Sequence, residues 1–193
     1  MYRAILSVGM QPQLLEFIQD LDYSADPVVL VPTAAAEAIV DSLGWPREPG
    51  LHVLACRLLP NMNSSIHKDR NADGSVGLCW ALNVPIKDTW GTWMEWFEPT
   101  SDQADCYYNI PNPVDGTPVP ALKHAHARSI SRSMICTETA YVARNDQWHK
   151  IVNMTDRTSW CVSIRYYPLG YEPWDRAQAR TPWLANIAKT GKP

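Results

Sequence analysis

The sequence predicts a mainly β protein with helices at its N-terminus, built on an antiparallel sandwich or barrel of the jelly-roll or cupin-like kind. Three observations predict it. Short apolar or alternating runs recur from residue 51 onward, separated by turn-forming residues. Nine Trp and eight Tyr stand against two Phe, and such amphipathic rings suit pleated, half-buried surfaces and polar pocket walls. Apolar residues at helical spacing are confined to the first fifty positions. At 193 residues the chain is of single-domain size and long enough for a sizeable core.

Residues 1–50 form the helical lead-in. "QPQLLEFIQDLDY" places Leu14, Leu15, Ile18 and Leu21 at helical spacing. "TAAAEAIVDSLG" follows, with Thr33 as the expected N-cap and Gly44 as the stop, and the short apolar "PVVLV" lies between. Residues 51–167 form the expected barrel core. "LHVLACRLL" is a strand candidate, and "VGLCWALNVPI" sets Trp80, Leu82, Val84 and Ile86 on one side. "TWGTWMEWFE" is a Trp-rich strand. Pro, Asp, Asn and Gly crowd residues 99–123, which reads as a long loop whose Tyr107 and Tyr108 are candidates for a lid. "SMICTETAYVA", "HKIVN" and "SWCVSIRYY" are three more strands. Residues 168–193 lose periodicity and are expected to wrap the body as an extension.

The net charge is −3, with no run of Lys or Arg. Nucleic acid needs a basic surface and is not favoured, whereas a small molecule or a peptide fits. Five cysteines are scattered with no CxxC pair, which argues against a disulfide framework or structural zinc and for a reducing compartment. No signal-peptide pattern and no apolar run of about 18–20 residues occurs. The expectation is a soluble, cytoplasmic protein without a membrane partner.

The sharpest chemical signal is "IHKDR", which holds the single His-x-Asp or His-x-Glu of the chain. On a strand, His67 and Asp69 point to the same side, giving a nitrogen and a carboxylate donor to one metal. Among the other histidines, His52 falls in a strand candidate and His124 and His126 form a His-x-His pair. His149 is favoured as third ligand because Arg157 and Ser159 follow it across a tight turn. A guanidinium grips a carboxylate through paired hydrogen bonds, and a neighbouring hydroxyl adds another. Two His and one carboxylate on one face of an octahedron leave open positions, as in non-haem Fe(II) oxygenases.

The ordered set His67, Asp69, His149, Arg157 and Ser159 resembles the Fe(II)/2-oxoglutarate-dependent dioxygenases. "SSIHKDRNADGSVGLCWALNVPI" and "WHKIVNMTDRTSWCVSIRY" carry the resemblance. It implies a double-stranded β-helix, Fe(II) on His67, Asp69 and His149, and 2-oxoglutarate held by Arg157 with help from Ser159. With O2 as the other co-substrate, it also implies hydroxylation of an unactivated C–H bond. Halogenases of this family have a small residue at the carboxylate position, where this chain has Asp69. Asn63, Asn83 and the Trp90, Trp93, Trp96 series are candidates for lining the barrel, with Asn63, Asn83 and Trp96 the substrate-binding choices. Two other readings stand beside this one. One is a cupin-type metal-binding enzyme without 2-oxoglutarate, using His124, His126 and His149, in which "HKIVN" supplies a His-x3-Asn ending. The other is a non-enzymatic jelly-roll binding module.

Overall fold

Alternation along the strands, rather than any helix, organises the chain. A computed structural model describes residues 3–4, 12–24, 26–69, 77–111, 116, 118–135 and 140–190. In chain order its elements are β1 (Arg3–Ala4), α1 (Pro12–Gln19), β2 (Val28–Leu30), α2 (Thr33–Ser42), β3 (Leu51–Leu58) and β4 (Ile66–His67). Next come β5 (Trp80–Lys87), β6 (Thr92–Pro99), β7 (Tyr107–Pro111), β8 (Pro118–Leu122), β9 (Ala127–Met134) and β10 (Tyr141–Arg144). The last are β11 (Trp148–Asn153), β12 (Ser159–Tyr166), α3 (Trp174–Arg180) and α4 (Pro182–Thr190). The strands make two six-stranded antiparallel sheets, one ordered β1-β10-β5-β12-β3-β2 and the other β7-β8-β4-β11-β6-β9.

The first sheet buries both faces. On its outer face Val53, Ala55, Trp80, Leu82, Val84, Val162, Ile164 and Tyr166 join Ile18, Ile39 and Val40 of the N-terminal helices in the main core. The inner face turns His52, Leu54, Cys56 and Leu58 of β3, and Cys161, Ser163 and Arg165 of β12, toward the second sheet across a cavity. The two alternations are the period-2 pattern of strands covered on both sides. Pro85 sits in a central strand, where it cannot donate to a ladder. The register between β5 and β12 shifts between Trp160 and Cys161, opposite it, as a strand-interior proline requires.

Three expectations are corrected. The 99–123 segment is not all loop: β7 and β8 pair as a hairpin in register Tyr107↔Leu122 through Pro111↔Pro118. Pro111 is tolerated at the end of β7, an edge strand, and Pro118 as the first residue of β8; the β4 ladder pairs β8 only at Ala121 and Leu122. The C-terminal segment is not a plain extension either. Helices α3 and α4 bury Trp174, Ala177, Leu184 and Ile187 in the main core, each pair spaced three residues apart within a short helix. Thr33 is the first residue of α2 and makes no cap; Pro32 precedes it with φ −54°. Gly44 does end that helix, with φ +69° and bonds from Gly44 N to Asp41 O and Trp45 N to Val40 O, the left-handed glycine stop. Residues 136–139 of "SMICTETAYVA" lie outside the described residues. Among those described, no helix is long and apolar enough to cross a membrane.

Candidate metal centre

The second sheet brings the two histidines together by register. β4 lies between β8 and β11, and His67 pairs directly opposite His149. Both side chains face the other sheet, their ring centroids 4.6 Å apart. Asp69 follows just beyond β4, where its backbone N–H donates to Asn145 O at 3.1 Å. The candidate ligand atoms of His67, Asp69 and His149 all lie within 4.8 Å of one another. The three residues form the one such cluster found among the described residues.

Hydrogen bonds orient each ligand. His67 Nδ1 lies 2.9 Å from Ser65 O and His149 Nδ1 lies 2.8 Å from Gln147 O. A carbonyl only accepts, so each Nδ1 carries the proton and each Nε2 keeps its lone pair, the tautomer a metal needs. The Asp69 oxygens divide the work. Oδ1 faces His67 Nε2 at 3.6 Å, while Oδ2 accepts from Asn145 Nδ2 at 2.6 Å and faces Arg165 Nη2 at 3.1 Å. One oxygen is tied to the protein and the other is left for an ion.

Protonation states suit the same role. Burial, then the neighbouring His67 ring, pushes His149 down from 6.5 to about 4, so its imidazole is neutral at physiological pH. Burial opposes the charge on Asp69, but Arg165, His149 and His67 outweigh it and hold the carboxyl below its usual value. The site therefore presents a neutral His149 imidazole, the His67 Nε2 and one carboxylate, a donor set that holds a divalent cation.

The cluster opens on a cavity of about 600 Å³ between the sheets. Leu54, Leu58, Met62, Met94 and Ile151 give it apolar walls, and Asn83, Asn145, Ser163 and Arg165 supply polar groups. Arg165 is the residue that sequence reasoning missed. Its side chain is 19% exposed, and its buried Nε has no hydrogen-bond partner. A buried guanidinium donor without a partner is costly unless a ligand accepts from it.

The predicted anchor is placed elsewhere. Arg157 lies in the turn before β12, 75% exposed, with Nη1 3.8 Å from Asp88 Oδ1. The strand begins only at Ser159, so Arg157 projects off the end of the sheet rather than into the cavity. Ser159 is fully buried, but its hydroxyl donates to Asp88 O at 2.6 Å and pairs with Thr92 Oγ1 at 2.8 Å. Of the substrate candidates, Asn83 lines the cavity. Asn63 bridges to Val152 and Trp96 packs with Met94 and Tyr141, donating its indole N–H to Arg144 O; neither lines the cavity. Trp90 is 74% exposed in a turn. Tyr107 stacks on Trp148, which faces away from His149 because successive strand residues alternate. Tyr107 therefore stands outside the cavity, while Ile110, Pro111 and Val119 of the same hairpin line it. His124 meets Phe97 on that outer side, so the structure does not gather His124 and His126 with His149 as the cupin-type set requires. Asn153 of "HKIVN" is structural: its amide donates to Leu58 O, Leu59 O and Arg157 O.

No protein-family model and no curated protein sequence matches the chain.

Proposed function

We propose that this chain is an Fe(II)- and 2-oxoglutarate-dependent oxygenase that hydroxylates an unactivated C–H bond of a small molecule or of an amino-acid or peptide side chain. The carrying observation is the His67–Asp69–His149 set with both Nδ1 atoms tied to carbonyls, together with the unpartnered Arg165 Nε on the same cavity. Chain order supports a double-stranded β-helix core. From β3 to β6 and again from β9 to β12, successive strands fall in alternate sheets, as a ribbon wound around a barrel does.

Charge supports the co-substrate. Asp69 and Arg165 cancel, and imidazoles ligate a metal in their neutral form, so a divalent ion leaves the site with two positive charges. A dicarboxylate neutralises them in an environment where an uncompensated charge is costly. Iron bound with 2-oxoglutarate supplies the oxidising power for O2-dependent hydroxylation. The chain's own residues do the rest. His67 and His149 present Nε2, Asp69 presents Oδ1, and Asn145 holds the carboxylate from behind. Arg165, rather than Arg157, carries the cationic anchor, while Leu54, Met94 and Ile151 keep the wall apolar.

Anaerobic titration of the full chain with Fe(II) and then 2-oxoglutarate tests the reading. The expected result is a weak visible charge-transfer band, absent in His67→Ala. In Arg165→Met, 2-oxoglutarate binding weakens at least about tenfold, the order of a lost charge-assisted bond. Iron binding without any band on adding 2-oxoglutarate would overturn the co-substrate, and no stoichiometric metal would overturn the centre itself.

A further inference from the structure

Cys56 on β3 and Cys161 on β12 are directly opposed across the ladder, Cys161↔Cys56. Both thiols are free, both residues are over nine-tenths buried, and both line the cavity. Cys56 S–H points at Leu54 O.

The backbone sets how near the pair stands. Arg57 N donates to Pro27 O and Val31 N donates to Val53 O, so odd-numbered residues of β3 turn their peptide groups toward β2. Those of Cys56 therefore turn toward β12, which makes Cys56 and Cys161 a hydrogen-bonded pair with Cα atoms about 5.5 Å apart. That lies inside the range of about 4.4–6.8 Å spanned by disulfides. Their Cβ atoms, about 4.5–5.5 Å apart in such a pair, must draw together slightly for the bond to form. A disulfide closed under that strain is of the readily reduced, labile kind.

We propose that Cys56 and Cys161 are a thiol–disulfide site that closes on reaction with hydrogen peroxide and reopens with thiol reductant. The cavity is the oxidant's route, since both sulfurs sit in its wall. In the first step the Cys56 sulfur attacks peroxide; the O–O bond breaks, a sulfenic acid forms and one water leaves. In the second, the Cys161 sulfur attacks the sulfenic sulfur; the S–S bond forms, the S–O bond breaks, and hydroxide departs as a second water with the Cys161 proton. Two thiols are oxidised and one peroxide is reduced. The surroundings place Cys56 first: the Cys161 thiol and the Arg165 guanidinium favour thiolate at Cys56, against its burial and the Asp69 and Asp26 carboxylates, whereas Cys56 and burial disfavour it at Cys161.

The test treats the folded full chain with hydrogen peroxide in the presence of a chelator, which separates it from the metal centre. Remaining thiols are then alkylated under denaturing conditions. The expected result is a fall from five alkylated cysteines to three, a mass loss of about 2 Da, and a crosslinked peptide pair holding Cys56 and Cys161. Dithiothreitol restores all five. Cys161→Ser is expected to leave Cys56 as a sulfenic acid that dimedone traps. Peptide mapping of the unmutated protein decides the matter even if that variant does not fold. Stepwise gain of oxygen at either cysteine without a crosslink would overturn the proposal, as would a crosslink through Cys79, Cys106 or Cys136, or retention of all five thiols.

Discussion

The His149 imidazole should make the metal-free protein acid-sensitive in a window set by its own burial. In the unfolded chain a histidine takes its proton near 6.5, whereas in the fold burial and the His67 ring push that proton uptake down to about 4. Between those values the unfolded chain binds the extra proton. Stability is therefore full above pH 6.5 and falls as the pH drops toward 4. At about 1.4 kcal/mol per pH unit, the loss from this one group approaches about 3 kcal/mol at the low end. By pH 4.5 it is about 2.5 kcal/mol, a large fraction of a small domain's stability. Urea unfolding of the chelator-treated protein at pH 7.5 and pH 4.5 measures it, with His149→Gln as the comparison. All other titrating groups act in both proteins, so the wild type should lose about 2–3 kcal/mol more than the variant. Equal losses would mean that the imidazole protonates as freely folded as unfolded. The site would then not be the dry, neutral-ligand environment inferred for it.

Three further substitutions separate anchor, turn and strand. Arg157→Ala removes only an exposed ion pair, worth less than about 0.5 kcal/mol; calorimetry should show unchanged 2-oxoglutarate affinity, and a tenfold loss would restore Arg157 as anchor. Asn153→Ala strips three donated and two accepted hydrogen bonds from a fully buried amide. It should cost about 2–4 kcal/mol in denaturant without selective loss of metal at saturating concentration. Gly50 sits at φ +74°, and an added Cβ would collide with the Tyr167 backbone carbonyl. Gly50→Ala should therefore lower stability by about 2–4 kcal/mol, and a change under 0.5 kcal/mol would show that the β3 entry is looser than described.

The strands were legible because they rest on period two, and the candidate metal cluster because its residues carry metal-binding chemistry at short spacing. Trp80, Leu82, Val84 and Ile86 share the core side of β5 as their alternation predicts, and one short spacing put His67 beside Asp69. What stayed hidden depended on register. Nothing in "IHKDR" says that His67 will face His149; that follows from β4 lying beside β11. The position of Arg157 depended on register too. Arg157 has the right sequence neighbours, but a turn residue points off the sheet. Arg165 stands on the inner side of β12 with Cys161 and Ser163, and its signal was a charged residue inside the otherwise apolar "SWCVSIRYY". The β7–β8 hairpin was obscured by its prolines, and α3 and α4 by being too short to show more than one buried pair each.

The placement of the core explains how the sandwich can hold a polar site. A two-sheet protein usually fills the space between its sheets with apolar side chains. Here the largest cluster lies on the outer face of the first sheet, under α1 to α4, where Trp80 meets Trp174 and Tyr166 meets Trp183. Only smaller clusters occupy the space between the sheets. Stability is thus concentrated on one side of β12 and the candidate chemistry on the other, with Ile164 and Arg165 adjacent in sequence and opposite in role. Truncating Ile164 should cost stability on the core side, whereas Arg165→Met leaves the Asp69 carboxylate without its cationic partner and should destabilise the metal-free protein by about 3–5 kcal/mol. A folded Arg165→Met protein that binds iron and has lost 2-oxoglutarate affinity would show that the anchor and the metal ligands are separate parts of the site.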